Sequence, residues 1–343
     1  MTASADGTIV VWDTSRGTVL QEWCAHVHPD GVQSLALSPD SRRLVSAGGH
    51  TLVVWAIDNA VQKVAELQGH TNVVVFCAWS PDGTLIASGS EDGAVRVWDG
   101  DTFQLRGTLL DPVEDQLQVA YPLHFSPDSR HLACISGLDC CVWRVPLIGQ
   151  QPMRLLSRDW DRWGLDPIDI LAFSFHPGSG RIATAHGPLE DEEDGPPEER
   201  DPRDSCIISI WDVATGTELK ILSGHLDSVT SISFHPDGRS LLSTSDDKSA
   251  RIWDAESGRQ TGWVEGISTA CFSPDGKYVA YGKNEGLVGL CKIRDDPDGY
   301  GSIAEFTQHT YRIEHIAFSP NGKFLVSADS KGIVYVRSLL NIV

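Results

Sequence analysis

The sequence has few basic residues for its length. Its 343 residues include 27 Lys and Arg against 47 Asp and Glu, which gives a formal net charge of −20 at pH 7. A general nucleic-acid binder needs clustered cations to displace the counterions of the phosphates. We therefore expect no direct nucleic-acid binding. A cationic or mixed-charge partner fits this balance better.

Long apolar runs are also missing. No stretch approaches the roughly 18 residues that a membrane span requires, and residues 1–6 lack the basic and apolar regions of a signal peptide. We expect no membrane partner and a location in the cytoplasm or the nucleus. The eight cysteines show no CxxC spacing, and most lie in apolar, strand-like runs. That pattern is typical of reduced, buried thiols and argues against a zinc site.

Motifs of common catalytic sites are absent as well. The sequence contains no GxGxxG after a strand, no GxxxxGK[ST], no HExxH and no GxSxG. Asp and Glu pairs are abundant, but neither spacing nor an apolar setting singles out one pair as an acid and a base. We therefore predict a protein without a cofactor, a metal site or enzymatic activity.

A four-residue turn recurs seven times along the chain. It reads SPDG, SPDS, HPDG, HPGS or SPNG, and Pro at the second position with Asp or Asn at the third is typical of a type I turn. Apolar strands flank each turn, a third strand often ends in Trp-Asp, and a more polar fourth strand follows. Four short strands per repeat predict the blades of a β-propeller. The prolines that mark the turns are Pro39, Pro81, Pro127, Pro177, Pro236, Pro274 and Pro320.

The order of Gly-His, Ser-Pro-Asp-Gly and Trp-Asp within one repeat resembles the WD40-repeat family. The clearest repeats span residues 69–99 and 224–254, and the resemblance covers essentially the whole chain. It implies an all-β fold, a single WD40-type propeller domain over residues 1–343. It implies little about function, because one propeller fold serves many different partners.

The resemblance also implies a buried polar tetrad of His, Ser, Asp and Trp. In such a tetrad the carboxylate accepts from the imidazole, and the serine and the indole N–H complete the network. Two repeats match all four positions: His70, Ser88, Asp92 and Trp98, and His225, Ser243, Asp247 and Trp253. The first repeat matches in part: Thr2, Asp6 and Trp12. Elsewhere the pattern weakens: Ala56 follows Trp55, Arg144 follows Trp143, and the last two repeats lack the terminal Trp. We expect mainly apolar packing to hold these blades.

His26 and His28 are the residues that most invite a metal-site interpretation. They stand two positions apart in AHVHPD. However, Ala25-His26 takes the Gly-His position of its repeat, and metal ligands usually come in sets of three or four. We interpret His26 as structural.

Seven copies of the turn predict seven blades, with eight as the alternative. The chain opens inside a repeat, and its last repeat stops after the third strand, near Leu340. We predict that residues 18–23 supply the missing outer strand of the last blade, which would cover an exposed edge. Residues 8–13 would then lie beside them as an extra strand.

An acidic segment, residues 188–205, interrupts the fourth repeat between its second and third strands. It carries nine acidic residues against Arg200 and Arg203, a net charge of −7, and four prolines. This composition predicts a disordered loop. The segment is either a solvated insertion without a partner or a docking site for a basic segment.

Two loops carry the residue types that dominate interface energies. The segment SRDWDRWGLDP contains Trp160, Arg162 and Trp163, and TQHTYR contains Tyr311 and Arg312. Both segments precede the innermost strands of their blades, so we predict one partner-binding face that suits an acidic or aromatic peptide. The alternative is that the indoles pack against the propeller edge.

These features together predict a non-enzymatic interaction scaffold or adaptor. It would bind protein or peptide partners as a monomer within an intracellular complex. The repeats resemble those of fungal corepressors and fungal incompatibility proteins, without being specific to either. One alternative is a substrate receptor of a ubiquitin ligase, which the absence of an F-box-like segment and of a WDxR motif disfavours. A second is a propeller enzyme with carboxylates in its central channel.

Overall fold

The computed structural model describes residues 1–13, 16, 18–58, 60–110, 120–136, 139–145, 152–155, 168–188, 206–293 and 300–340. Thirty β-strands, β1 to β30, form eight antiparallel sheets in these ranges. The predicted all-β propeller fold is confirmed, with the alternative count of eight sheets in place of seven. No helix in the described ranges has the length and apolarity needed to cross a membrane.

The chain divides into two compact units, and the first, Met1–Leu156, holds four sheets. The first sheet contains β1 (Thr2–Ala3), β2 (Thr8–Asp13) and β3 (Thr18–Cys24). The second contains β4 (Ser34–Leu37), β5 (Arg43–Gly48), β6 (Thr51–Ala56) and β7 (Gln62–Gln68). The third contains β8 (Val74–Trp79), β9 (Leu85–Ser90), β10 (Val95–Asp99) and β11 (Leu105–Leu110). The fourth contains β12 (Ala120–Phe125), β13 (His131–Ser136), β14 (Asp139–Arg144) and β15 (Met153–Leu155).

The second unit, Ser157–Val343, holds the other four sheets. The fifth contains β16 (Ile168–Phe175), β17 (Arg181–Pro188), β18 (Ile207–Asp212) and β19 (Glu218–Ser223). The sixth contains β20 (Val229–Phe234), β21 (Ser240–Ser245), β22 (Ser249–Asp254) and β23 (Gln260–Glu265). The seventh contains β24 (Ile267–Phe272), β25 (Tyr278–Lys283), β26 (Val288–Ile293) and β27 (Tyr300–Phe306). The eighth contains β28 (Ile313–Phe318), β29 (Phe324–Asp329) and β30 (Val334–Ser338).

The repeated turn links the first two strands of its sheet through its own side chains. Ser80 Oγ donates to Asp82 Oδ1 at 2.6 Å and accepts from the Leu85 amide at 2.9 Å. Gly83 follows with a φ of 78°, a conformation that favours glycine. The same serine-to-aspartate or serine-to-asparagine bond recurs in four more turns: Ser38, Ser126, Ser273 and Ser319. The turn is thus fixed by local chemistry.

In the four-stranded sheets, the second and third strands hold most of the buried core, while last strands such as β7 are more exposed. In the third sheet, five of the six residues of β9 are buried, because neighbouring sheets pack against both of its faces. By contrast, β7 is exposed along most of its length. Burial of one Leu, Ile or Val side chain stabilises a fold by about 1.5–3 kcal/mol. The mainly apolar middle strands therefore set the sheet positions.

The predicted role of residues 18–23 in the last blade is wrong. They belong to β3, which pairs with β2 in the first sheet, with Thr8 opposite Cys24 and Val10 opposite Glu22. Meanwhile β30 lies at the edge of its own three-stranded sheet. Pairing within a hairpin closes only a short loop and therefore costs little chain entropy. The expected neighbour, residues 8–13, does lie beside these residues as β2.

Two predictions on domain organisation remain predictions. The chain was expected to form a single domain over residues 1–343 with a disordered insertion at 188–205. Residue 188 ends β17, and residues 189–205 lie outside the described part of the chain.

Candidate partner-binding surface

Two predicted tetrads form hydrogen-bonded networks inside their sheets. In the sixth sheet, the Trp253 indole N–H donates to Ser243 Oγ at 2.8 Å, and Ser243 Oγ lies 2.8 Å from His225 Nε2. His225 Nδ1 lies 2.9 Å from Asp247 Oδ2. The third sheet repeats this arrangement at 2.8–3.0 Å with the other tetrad: His70, Ser88, Asp92 and Trp98. Each network connects the loop before the first strand of its sheet to the second and third strands.

Burial and hydrogen bonding assign the protons in the sixth sheet. Burial by itself would raise the pKa of the Asp247 carboxyl, but hydrogen bonds outweigh it and lower that pKa to about 2. The donors are Ser249, Leu226 and His225. Burial lowers the pKa of His225, so its ring is neutral at neutral pH. Because the carboxylate can only accept, Nδ1 of His225 carries the proton and Nε2 accepts from the Ser243 hydroxyl.

The strand register identifies the positions that correspond to Trp253 and Ser243 in the other sheets. Trp253 lies opposite Leu241, and the hydroxyl that it contacts, on Ser243, follows two residues later. Five sheets place a Trp that donates to a Ser or Thr in this way, at 2.8–3.0 Å: Trp12 to Thr2, Trp55 to Ser46, Trp98 to Ser88, Trp211 to Thr184, and Trp253 to Ser243. The pairs of the second and fifth sheets were not predicted, because their repeats lack a complete tetrad. For the second sheet, where Ser46 also lies 2.9 Å from His26 Nε2, the expectation of mainly apolar packing is wrong.

The eighth sheet keeps a polar network although it has no Trp. His309 Nε2 lies 2.8 Å from Ser327 Oγ, and His309 Nδ1 lies 3.0 Å from Asp329 Oδ2. Arg337 takes the indole position and donates to Ser327 Oγ at 3.1 Å, while its guanidinium lies 4.6 Å from the centre of the Phe306 ring. The expectation of mainly apolar packing is therefore wrong for this sheet. The available signal was the His-to-Ser spacing of 18 residues, which both predicted tetrads share.

The fourth and seventh sheets replace the hydroxyl. Cys134 takes its place in the fourth sheet, and the buried indole N–H of Trp143 has no hydrogen-bond partner within the described ranges. In the seventh sheet, Tyr281 takes this position, and burial raises its pKa to about 12. A Cβ on Gly289 would overlap the Tyr281 ring, so only glycine fits opposite it.

Tyr311 and Arg312 lie in the loop that precedes β28, which we name the β28 loop (residues 307–312). The Tyr311 side chain is exposed, and Lys331 Nζ lies 5.5 Å from the centre of its ring. The Arg312 guanidinium lies 3.9 Å from a carboxylate oxygen of Asp246 and 3.6 Å from one of Glu314. Both predicted side chains are thus accessible on one loop.

Neighbouring elements fix the backbone of the β28 loop. The Ser330 amide, in the turn after β29, donates to the Arg312 carbonyl at 3.0 Å. The Ser268 hydroxyl, on β24, donates to the Ile313 carbonyl at 2.7 Å. The buried His309 anchors the middle of the loop through the network of the eighth sheet. The loop therefore presents its exposed side chains from a fixed frame.

The other predicted surface residues lie outside the described ranges. These are Trp160, Arg162 and Trp163. Their placement beside the β28 loop stays a prediction.

The candidate metal ligands face different surroundings. His26 Nε2 lies 2.9 Å from Ser46 Oγ, inside the network of the second sheet. His28 Nδ1 lies 2.8 Å from Asp30 Oδ2 near the surface. Among the described residues, no group of three or more His, Cys, Asp or Glu side chains is placed to hold a metal ion.

Comparison with known proteins identifies the repeats. The family described as WD domain, G-beta repeat matches residues 17–56, 61–99, 216–254 and 301–337. The chain is a WD40-repeat protein. The second and third of these segments contain the two predicted tetrads, and the fourth contains the network of the eighth sheet with its Arg in the indole position.

Relatives of this WD40-repeat protein include proteins whose names describe association with other proteins. The guanine nucleotide-binding protein subunit beta of Solanum tuberosum is 28% identical over 295 residues, which cover 80% of this chain and 70% of that protein. The serine-threonine kinase receptor-associated protein of Dictyostelium discoideum is 25% identical over 256 residues, 74% of this chain and 75% of that protein. The periodic tryptophan protein 2 homolog of the same organism is 26% identical over 307 residues, 83% of this chain and 30% of that protein.

Proposed function

We propose that this WD40-repeat protein is a non-enzymatic interaction scaffold that binds a protein or peptide partner through Tyr311 and Arg312. The observation that carries the proposal is the fixed β28 loop with its two exposed side chains. Tyr and Arg are enriched among the residues that dominate binding energies. A backbone that is already ordered loses little entropy when a partner binds. The names of the subunit and receptor-associated relatives support the same class of function.

The charges around the β28 loop favour an acidic partner segment with an aromatic side chain. The two carboxylates near Arg312 lie at 3.6 and 3.9 Å, beyond the 2.7–2.9 Å or so of a charge-assisted hydrogen bond. The guanidinium therefore keeps donors for a partner's carboxylate. Lys331 adds a second cation beside the Tyr311 ring, which offers a surface for aromatic contact.

The proposal includes the wider setting of the scaffold. We propose that it acts as a monomer within a larger intracellular complex, in the cytoplasm or the nucleus. The net charge of −20 supports binding to proteins without direct nucleic-acid contact. Trp160, Arg162 and Trp163 are proposed as further members of the binding surface.

Affinity capture with mass spectrometry tests the proposal. The Tyr311→Ala, Arg312→Ala double variant should lose a partner that the wild type recovers, because truncating one hot-spot residue costs about 2 kcal/mol or more, about thirtyfold in Kd. The control is Asn72→Ala, which changes the residue two positions after His70, as Tyr311 stands two after His309. This control should recover the wild-type set of partners.

Retention of every partner by the folded double variant would contradict the proposed surface. Circular dichroism establishes that each variant is folded. The Trp160→Ala, Arg162→Ala protein tests the additional members in the same way. If those changes lower the melting temperature and leave binding intact, the indoles serve packing.

A further inference from the structure

Unit 1 contains a groove that combines apolar surface with cations. Its volume is about 610 Å³, and it lies between the third and fourth sheets, beside the turns that follow β8 and β12. Its apolar lining belongs to the core cluster between these two sheets: Leu85, Val97, Leu109, Trp143 and Val145. Arg130 and Arg144 also line the groove, and both are exposed.

The carboxylates that line the groove are already engaged by the protein itself. Asp82 and Asp128 each accept a serine hydroxyl within their own turns at 2.6 Å. Asp99 accepts from Thr102 at 2.7 Å and forms an ion pair with Arg106, and the exposed Asp101 lies 3.7 Å from the Arg43 guanidinium. Each carboxylate of the lining thus already has a partner within the protein.

Unlike those carboxylates, the guanidinium groups of Arg130 and Arg144 form no ion pair with any residue in the described ranges. A groove of about 500 Å³ in unit 2 is lined by Arg181, which is paired with Glu256 at 3.0 Å, and by Arg239, which forms no ion pair within the described ranges. That second groove has no aliphatic or tryptophan side chain in its lining. Apolar lining beside two arginines that have no ion pair in the described part of the chain thus distinguishes the groove of unit 1.

We propose that the groove of unit 1 docks a short acidic segment of a protein partner. A bulky apolar side chain of that segment would contact the partly exposed Leu109 and Val145, and a neighbouring carboxylate would bind Arg130 and Arg144. Two unpaired cations next to apolar lining are complementary to this pair of groups, and arginine can hold a carboxylate through two parallel hydrogen bonds. The proposal rests on the scaffold function, but it concerns a surface separate from the β28 loop.

Fluorescence anisotropy with labelled pentapeptides tests the docking. The probe is Gly-Asp-Phe-Asp-Gly, and the controls are Gly-Lys-Phe-Lys-Gly and Gly-Asp-Gly-Asp-Gly, each titrated to millimolar concentration. We expect the probe to bind at least about tenfold more tightly than either control, since each control removes one of the two complementary features. Equal affinity for the lysine peptide, or no binding of the probe, would overturn the proposal.

Charge reversal at the groove provides the matched comparison. The Arg130→Glu, Arg144→Glu double variant should weaken probe binding about tenfold or more. Arg239→Glu, at the same position after the corresponding turn in unit 2, should leave it unchanged. Unchanged affinity in the double variant would refute the docking site.

Rising salt should also weaken probe binding to the wild type, because exposed ion pairs are screened. A salt-independent affinity would count against the docking site. Because the probe also has the acidic and aromatic groups expected at the β28 loop, both tests are repeated in the Tyr311→Ala, Arg312→Ala protein, so the two proposed surfaces can fail separately.

Discussion

Removal of one hydroxyl from the sixth sheet should destabilise the protein measurably. Ser243 donates to His225 and accepts from the Trp253 indole, both at 2.8 Å, and all three side chains are buried. Ser243→Ala leaves a buried ring nitrogen and a buried N–H without partners. Each such loss costs about 1–3 kcal/mol, so we expect the free energy of unfolding to fall by about 2–4 kcal/mol. Urea titration followed by circular dichroism measures this change.

Ser233→Ala is the matched control for that measurement. Ser233 lies on β20 of the same sheet, and its buried hydroxyl has no hydrogen-bond partner within the described ranges. Removing an unsatisfied hydroxyl leaves no new group without a partner, so the free energy of unfolding should stay the same or rise slightly. Equal destabilisation by both substitutions would refute the argument that the Ser243 hydrogen bonds, and not its volume, stabilise the sheet.

Three further predictions concern other parts of the chain. Cys134→Ser should raise the free energy of unfolding by about 1 kcal/mol in urea titrations, because it offers the unpaired Trp143 indole an acceptor. The pKa values of His225 and Asp247 lie below their usual 6.5 and 3.8 in the folded protein, so the unfolded chain binds protons more readily. The melting temperature should therefore fall as the pH drops below 6.5, and again between 3.8 and about 2, and Asp247→Asn should weaken the second decline. Replacement of residues 189–204 by a short Gly-Ser linker should leave the circular dichroism spectrum unchanged, because long surface loops add little entropy cost.

The repeat sequence predicted the fold class because its turn is a local structure. The Ser-Pro-Asp-Gly turn is fixed by bonds among its own residues, as at Ser80 and Asp82. The preferred count of seven blades falls one short of the eight sheets for a related reason. In the first sheet, the hydroxyl that accepts from the Trp belongs to Thr2 on β1, whereas in the other sheets this position lies on the second strand. Because β1 thus corresponds to a second strand, the first sheet has no copy of the turn between first and second strands, and seven turns accompany eight sheets.

Features that depend on pairing between distant residues could not be predicted from one sequence. The role of Arg337 depends on the register that places it beside Ser327, and the residue type alone gives no hint of it. Tyr311 and Arg312 were identified by their chemical types. The fixed backbone beneath them depends on Ser268 and Ser330, which belong to other elements of unit 2.

Site-specific photocrosslinking at the β28 loop tests the central claim most directly. A photoreactive benzoylphenylalanine would replace Tyr311 in one protein and Trp263 in another, because Trp263 is a similarly exposed aromatic residue on the outer strand β23. Irradiation of captured complexes should give covalent partner adducts from position 311 and none from position 263. Adducts from position 263 alone, or none from position 311 while the complexes still form, would contradict the scaffold surface.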